Sequence, residues 1–343
     1  MPGLTATKVG VVAIGRNEGD RLMACLRSAV AAGPVVYVDS GSTDGSQDFA
    51  RSIGVEVVQL AVPPNFTAAR ARNAGAAALF ARNQALDYVQ MVDGDCELQP
   101  GWIATAFAAL ESEPALALVF GRRRERHPSR SIYNALADAE WDVPVGEVGA
   151  CGGDVLLRRS AFDSVGGYPE TMIAGEEPDM SIRLRARGWR LQRIDHEMTL
   201  HDAAMTRLSQ WWHRTRRGGH AFAELAHRHP ANRWPNYGAS CRRAILWGGV
   251  LPGVALLGLL LAVVARPAWL LLSLLAVAAF TLNIARIALR QNRAGRTPRF
   301  ALAEGLFLML GKIAEFLGLA RFHLNRLSGR RSRLIEYKGP VVQ

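Results

Sequence analysis

At 343 residues and 49% hydrophobic, the chain is long enough for one large domain or two smaller ones with a sizeable core. The formal net charge of +11 is almost all arginine, since lysine occurs only at Lys8, Lys312 and Lys338; the arginines flank apolar segments, which argues for anionic lipid or a phosphate-bearing substrate and against nucleic acid. Cys25, Cys96, Cys151 and Cys241 form no C-x-x-C pair, which argues against a zinc site or a disulfide framework.

The opening apolar run VGVVAIG is short and is followed at once by Arg16, Asn17 and Glu18. It reads as a strand, not a signal peptide, so the N-terminal domain is expected in the cytosol. Further strands are predicted at 35–40, 55–60, 88–93 and 115–120, after a first at 9–14. They are near-continuous apolar runs, as strands buried on both faces of a parallel sheet should be. Helical periodicity fills 20–32, 44–52, 68–86 and 102–112. This alternation predicts an α/β layered fold with a mostly parallel central sheet. Ligands in such sheets bind beyond the carboxyl ends of the strands, where Asp39 and Asp93 sit.

Beyond 120 the pattern loosens. A basic loop, GRRRERHP, leads to a helix around 133–141 and then to the glycine-rich GACGGDVLLRRSAF. GEEPDMSIRLRARG predicts a helix with an acidic start and a basic end, both favourable for its dipole. Pro178 suits the first helical position, which puts Glu177 at the cap and Glu176 before it. A basic, tryptophan-containing helix is expected at 206–229, and 231–243 reads as a linker.

Two uncharged runs follow, 244–265 and 268–285, joined by Arg266–Pro267. A bilayer core needs ~20 helical residues, so 244–290 is expected to be a transmembrane hairpin; a pair of buried helices in a soluble core is the weaker alternative. Arg242 and Arg243 precede the hairpin, and Arg286, Arg290, Arg293, Arg296 and Arg299 follow it, which places both ends in the cytosol. In the basic C-terminal region, 291–343, the segment 300–320 is apolar except for Glu304, Lys312 and Glu315. These fall within roughly 80° of arc at 100° per residue, as in an interfacial helix or one packed on the hairpin. A third span would export Arg321, Arg326, Arg330, Arg331 and Arg333, against the charge rule.

Asp93 and Asp95 flank one glycine at the end of an apolar strand, in YVQMVDGDCEL. Carboxylates there suit Mg2+ or Mn2+, which usually enter with substrate phosphates. A solvated acidic turn is the plain alternative. The pieces VVAIGRNEGDRL, VVYVDSGSTDGS, AARARNAG, MVDGD, GGDVLLRRSAF and GEEPDMSIRLRARG occur in that order over about residues 8–230. In this ordered set the chain resembles the family 2 glycosyltransferases, which have the nucleotide-sugar-binding GT-A fold.

The resemblance implies a cytosolic transferase domain at 1–230, with a nucleotide-binding half, 1–120, and an acceptor half, 121–230. It implies that Asp95 holds the metal, that Asp93 lies nearer the ribose, and that Asp39, Asn17 and Glu18 contact the nucleoside. Arg72 and Asn73, with Arg70 nearby, would belong to the same neighbourhood. His201, in TLHDAAM, is placed where some relatives complete the metal site; a structural histidine is the alternative. Trp141, Gly152, Gly153 and Asp154 would lie on the acceptor side. Glu177 has the position of the general base, with Glu176 and Asp179 beside it; many relatives have Glu-Asp where this chain has Glu-Glu, which leaves the base between Glu177 and Asp179. Asp44 is accounted for as a helix cap. His227 and His229 suit lipid headgroups. Gln210-Trp211-Trp212-His213-Arg214 does not match the Gln-x-x-Arg-Trp of processive members, so single transfer is expected.

The implied reaction is inverting, metal-dependent transfer from a UDP- or GDP-linked sugar to a lipid-linked or saccharide acceptor at the cytosolic membrane face. A nucleotidyltransferase is a rival, but such enzymes usually open with a glycine-rich loop carrying a basic residue, which VVAIGRNEG lacks. A non-catalytic membrane scaffold is a second rival, against which the intact carboxylate clusters argue.

Overall fold

The valine-rich runs become β1 (Val9–Gly15), β2 (Val35–Asp39), β3 (Glu56–Gln59) and β4 (Tyr88–Asp93), which pair in parallel in the order β3-β2-β1-β4. In the computed structural model, residues 8–61 and 66–329 are described. Between these strands run α1 (Asp20–Val30), α2 (Ser46–Ser52) and α3 (Ala68–Arg82). One face of α1 buries Leu22, Cys25, Leu26 and Ala29 against the sheet, which is why its apolar residues recur at helical spacing.

The rest of the sheet departs from the expected mostly parallel order. After β5 (Cys96–Leu98) and α4 (Trp102–Ser112) comes β6 (Leu116–Glu125), then α5 (Ile132–Glu140), β7 (Gly146–Glu147), β8 (Val155–Arg158), α6 (Arg159–Val165), α7 (Glu176–Ala186) and β9 (Arg190–His201). The order continues β4-β8-β6-β9-β5, with β7 on β9. β8 is antiparallel to β4 and β6, and β5 and β7 are antiparallel to β9; only β6 and β9 are parallel. The result is a mixed nine-stranded sheet. The expected basic loop is also corrected: its first residues extend β6 to Glu125, because β9 is long enough to pair along them. Inside the sheet, Gln90 is fully buried and accepts from the Trp102 indole at 2.8 Å, so its polar end has a partner.

The chain divides into two compact units at Thr206. α8 (Leu208–Arg228) belongs to the second, helical unit. The expected linker is largely helical: Asn236 caps α9 (Tyr237–Val264) by accepting from the Ala239 amide at 2.8 Å, and the helix runs on through a π-helical turn at Ile245–Val250. With α10 (Leu270–Arg293) it forms two helices long and apolar enough to cross a membrane, of mean hydropathy 2.2 and 2.1. Their most apolar stretches are only 11% buried, so Leu256, Val263, Leu271 and Leu282 face outward.

The segment 300–320 lies in one 30-residue helix, α11 (Pro298–Leu327). It packs against α8 and α10. A Cβ on Gly219 would fall 2.1 Å from the Glu315 carbonyl, and one on Gly318 2.0 Å from that of Arg216, so α8 and α11 meet backbone to backbone through glycine. Against α10, Gln291 donates to Glu304 at 2.6 Å. The basic positions Arg330, Arg331 and Arg333 lie outside the described residues.

Candidate active site

The carboxyl ends of β4 and β9 and the amino end of β5 gather one half of the site. β5 and β9 run antiparallel with Cys96 opposite His201, so residues distant in sequence share one sheet face. The Asp202 amide donates to the Asp95 carbonyl at 3.0 Å and secures this register. Asp95 Oδ2 lies 3.2 Å from His201 Nε2, and both side chains are buried. The Trp141 ring meets the imidazole edge-on at a centroid distance of 4.6 Å. Burial alone would depress the His201 pKa, but the charge of Asp95 and a hydrogen bond to it outweigh burial and hold it above the usual value.

The other half is a buried ionic network centred on Arg72. Its guanidinium reaches Asp93 Oδ1 at 2.8 Å, Glu176 Oε1 at 3.1 Å and Glu177 Oε1 at 3.0 Å, under the Tyr168 ring at 5.3 Å. Arg123 closes the opposite side, 3.2 Å from Asp93 Oδ2 and 2.7 Å from Asp154 Oδ2. Gly153 is glycine for want of space: a Cβ would fall 2.5 Å from Arg72 Nη2 and 2.8 Å from Asp93 Oδ2. The carboxylates of Asp93, Asp95, Asp154, Glu176 and Glu177 outnumber the guanidinium groups of Arg72 and Arg123, so the pocket floor carries excess negative charge.

Glu177 is the perturbed acid here. Burial raises its pKa to about 7, the neighbouring Glu176 adds to the rise, and Arg72 opposes it. α7 begins two residues earlier than expected. Gly175, at φ 86°, is the cap, Glu176 and Glu177 are the first two helical residues, and Pro178 is the third. Glu176 therefore does not precede the cap; it is buried and aimed at Arg72. Asp179 points elsewhere, to Arg183 at 2.7 Å, and Arg183 in turn donates to the carbonyls of Val165 and Gly167.

At the ends of β1 and β2, Asp39 is buried and builds its own loop. Oδ2 accepts from the amides of Gly41 and Ser42 and from Gln47, and Oδ1 accepts from the Tyr37 hydroxyl. Asn17, at φ 55°, donates its amide to Ser42 Oγ at 2.9 Å and accepts from the Thr43 amide at 2.8 Å. Glu18 pairs with Arg21 at 2.7 Å. Asp44 is not the cap of α2, which is Gly45; it accepts from the Ser46 amide and, at 2.9 Å, from that of Gly19. These bonds stitch the β1 and β2 loops into one wall.

Two of the expected site residues are engaged by protein partners. Asn73 is engaged by Tyr168, donating to its carbonyl and accepting from its amide, both at 2.9 Å, and so acts as a strut. Asp154 is buried under Asp93, accepting from its backbone amide at 2.9 Å and from Thr199 at 2.8 Å, and presents nothing to an acceptor. Arg123 and Glu125 were hidden in the basic run; strand alternation through GRRRE is the signal that reveals them.

Fit to a cation rests on donor chemistry. Asp95 offers a carboxylate oxygen and His201 an imidazole nitrogen, which face each other, and both suit Mn2+ or Mg2+. Among the described residues Asp93, Cys96 and Asp154 form a second group of close ligand atoms, but Arg123 already engages both carboxylates.

Residues 11–166 match the sequence profile described as Glycosyl transferase family 2. A pre-mycofactocin glycosyltransferase of Mycobacterium tuberculosis is 30% identical over 209 residues, which cover 57% of this chain and 43% of that protein. The chain thus spans less than half the length of the curated relatives it matches. In fold it is similar to a mannosyltransferase of Pyrobaculum calidifontis in complex with GDP-Man and Mn2+, with a TM-score of 0.56 at 18% identity, covering 93% of this chain and 88% of that one. It is also similar to a mycobacterial protein, with a TM-score of 0.50 at 19% identity, covering 66% of this chain and 77% of the other. The profile match lies on the strands and loops that carry Arg72, Asp93, Asp95, Arg123 and Asp154, so over these residues the chain is similar to glycosyl transferase family 2.

Proposed function

We propose that this protein transfers a single sugar from a UDP- or GDP-linked donor to a lipid-linked or saccharide acceptor, with inversion, at the cytosolic face of a membrane. The observation that carries this reading is the Asp95–His201 pair two residues from Asp93, which Arg72 ties in turn to Glu177. Asp95 and His201 would hold a divalent cation, and Asp93 would lie beside the donor. When bound, the cation supplies neutralisation of charge on the departing nucleotide diphosphate. The likeness in fold to a mannosyltransferase seen with GDP-Man and Mn2+ supports that donor and cofactor class.

Glu177 is the general base in this reading. Burial and the neighbouring Glu176 raise its pKa above the usual carboxylate range, which makes the ionised carboxylate a better acceptor of the proton. Arg72 holds it in place, and Trp141 offers an aromatic face beside His201 for an acceptor ring. The two outward-facing apolar helices support attachment to a bilayer, and the arginines at their outer ends support a cytosolic transferase domain.

A screen of UDP- and GDP-sugars for metal-dependent release of nucleotide diphosphate tests the proposal, since water can replace the acceptor. One donor should respond and the response should vanish with EDTA. Folded protein that releases no nucleotide from any donor, with or without candidate acceptors, overturns it.

A further inference from the structure

We infer that Glu125 is a positioning residue that fixes the ring orientation and tautomer of His201; this rests on the reading of His201 as a metal ligand. Glu125 ends β6 and is paired in register with His201 at the end of β9. Its carboxylate is buried behind the imidazole. Oε1 accepts from the His127 amide at 3.0 Å and from Asn134 at 3.1 Å. Oε2 accepts from the Ala203 amide at 3.0 Å and lies 3.6 Å from His201 Nδ1. Three donors therefore hold Glu125 in place, so it cannot swing round to ligate a cation itself.

The imidazole is bounded on three sides. Nε2 faces Asp95 at 3.2 Å, Nδ1 faces Glu125, and the Trp141 ring closes the edge at 4.6 Å. Nδ1 is buried and has no hydrogen-bond partner at ordinary distance, and a buried ring nitrogen of this kind calls for one. With the proton on Nδ1 directed to Glu125, the Nε2 lone pair is left facing Asp95, and a cation between the two satisfies both. A carboxylate on the far nitrogen of a ligating histidine is the usual means of setting its tautomer, and its loss typically weakens metal binding. The Asp95–His201–Glu125 row also ties the pocket to α5 through Asn134, whose Oδ1 accepts from the Met205 amide at 3.1 Å.

The test is Mn2+ binding to the purified full chain, followed by electron paramagnetic resonance, with UDP or GDP present. Glu125→Gln should weaken Mn2+ about 10- to 100-fold, because an amide group can donate to Nδ1 and move the ring proton to Nε2. Asn134→Leu loosens the same network from the Oε1 side; it should lower the Tm and leave Mn2+ affinity unchanged. His201→Ala gives the loss expected for the ligand itself. If Glu125→Gln binds Mn2+ normally while His201→Ala does not, the inference is wrong and the ligand reading stands. If neither variant differs from wild type, the ligand reading fails and takes the inference with it. Equal losses in Glu125→Gln and Asn134→Leu would make the effect structural and also overturn it. Should Glu125→Gln not fold, 15N spectra of the Mg2+-loaded wild type decide: Nδ1–H is expected for His201, and Nε2–H rules the inference out.

Discussion

Arg72 Nη1 lies 3.0 Å from Glu177 Oε1, and the same guanidinium is bonded to Asp93 at 2.8 Å. One buried cation thus ties the carboxylate at the end of β4 to the acid at the start of α7. The first prediction follows from that tie. Glu177→Gln keeps the shape of the side chain and removes its basicity, so turnover should fall by ~10²-fold or more while donor binding persists. Asp179→Asn, whose native carboxylate pairs with Arg183, should act mainly by lowering the Tm. Kinetics and nucleotide titrations on both variants check this; loss of activity in Asp179→Asn alone, with donor affinity intact, would transfer the base role to Asp179.

The second prediction is a pH dependence. As the proposed base Glu177 must be ionised to accept a proton, and burial beside Glu176 raises its pKa toward about 7. Activity should therefore rise with pH through about 7 and fall off below it. Arg72 lowers this pKa by favouring the ionised form, so Arg72→Met should move the rise to higher pH. A profile of kcat/KM against pH reads both; an unmoved midpoint in a folded Arg72→Met protein would detach the rise from Glu177.

The third concerns the cation. Asp95→Asn preserves size and removes the charge that a hard divalent ion requires. Nearly all turnover should be lost with the fold intact, as judged by circular dichroism. Near-normal activity of this variant at saturating donor, with or without EDTA, would rule out the metal role of Asp95.

The fourth concerns topology. Arginines crowd the outer ends of the hairpin and only Arg266 marks its turn. A reporter inserted at Arg266–Pro267 should behave as exported, and one fused after Gln343 as cytosolic. An exported C-terminal reporter would mean that α11 also crosses the bilayer.

Much of the site was legible because short-range patterns carry it. Continuous valine runs announce strands buried on both faces, and they placed Asp39 and Asp93 at the ends of β2 and β4. Two uncharged stretches announced α9 and α10 in the same way. What local pattern does not encode is which distant charges meet. Arg123 and Glu125 looked like part of a solvated basic run, and only pairing with β9 made that run a strand and buried Glu125. Glu176 was expected to precede the helix cap, but the left-handed cap at Gly175 makes it the first helical residue, where it meets the buried Arg72. Asn73 and Asp154 looked available to ligands and proved to be struts, because Tyr168 and Asp93 fold over them. The sequence by itself determined strand identity, the acidic positions and the apolar helices, since hydrophobic periodicity is local. The tertiary structure decided the partners, since the register of β5 and β6 on β9 brings Asp95, His201 and Glu125 into one row.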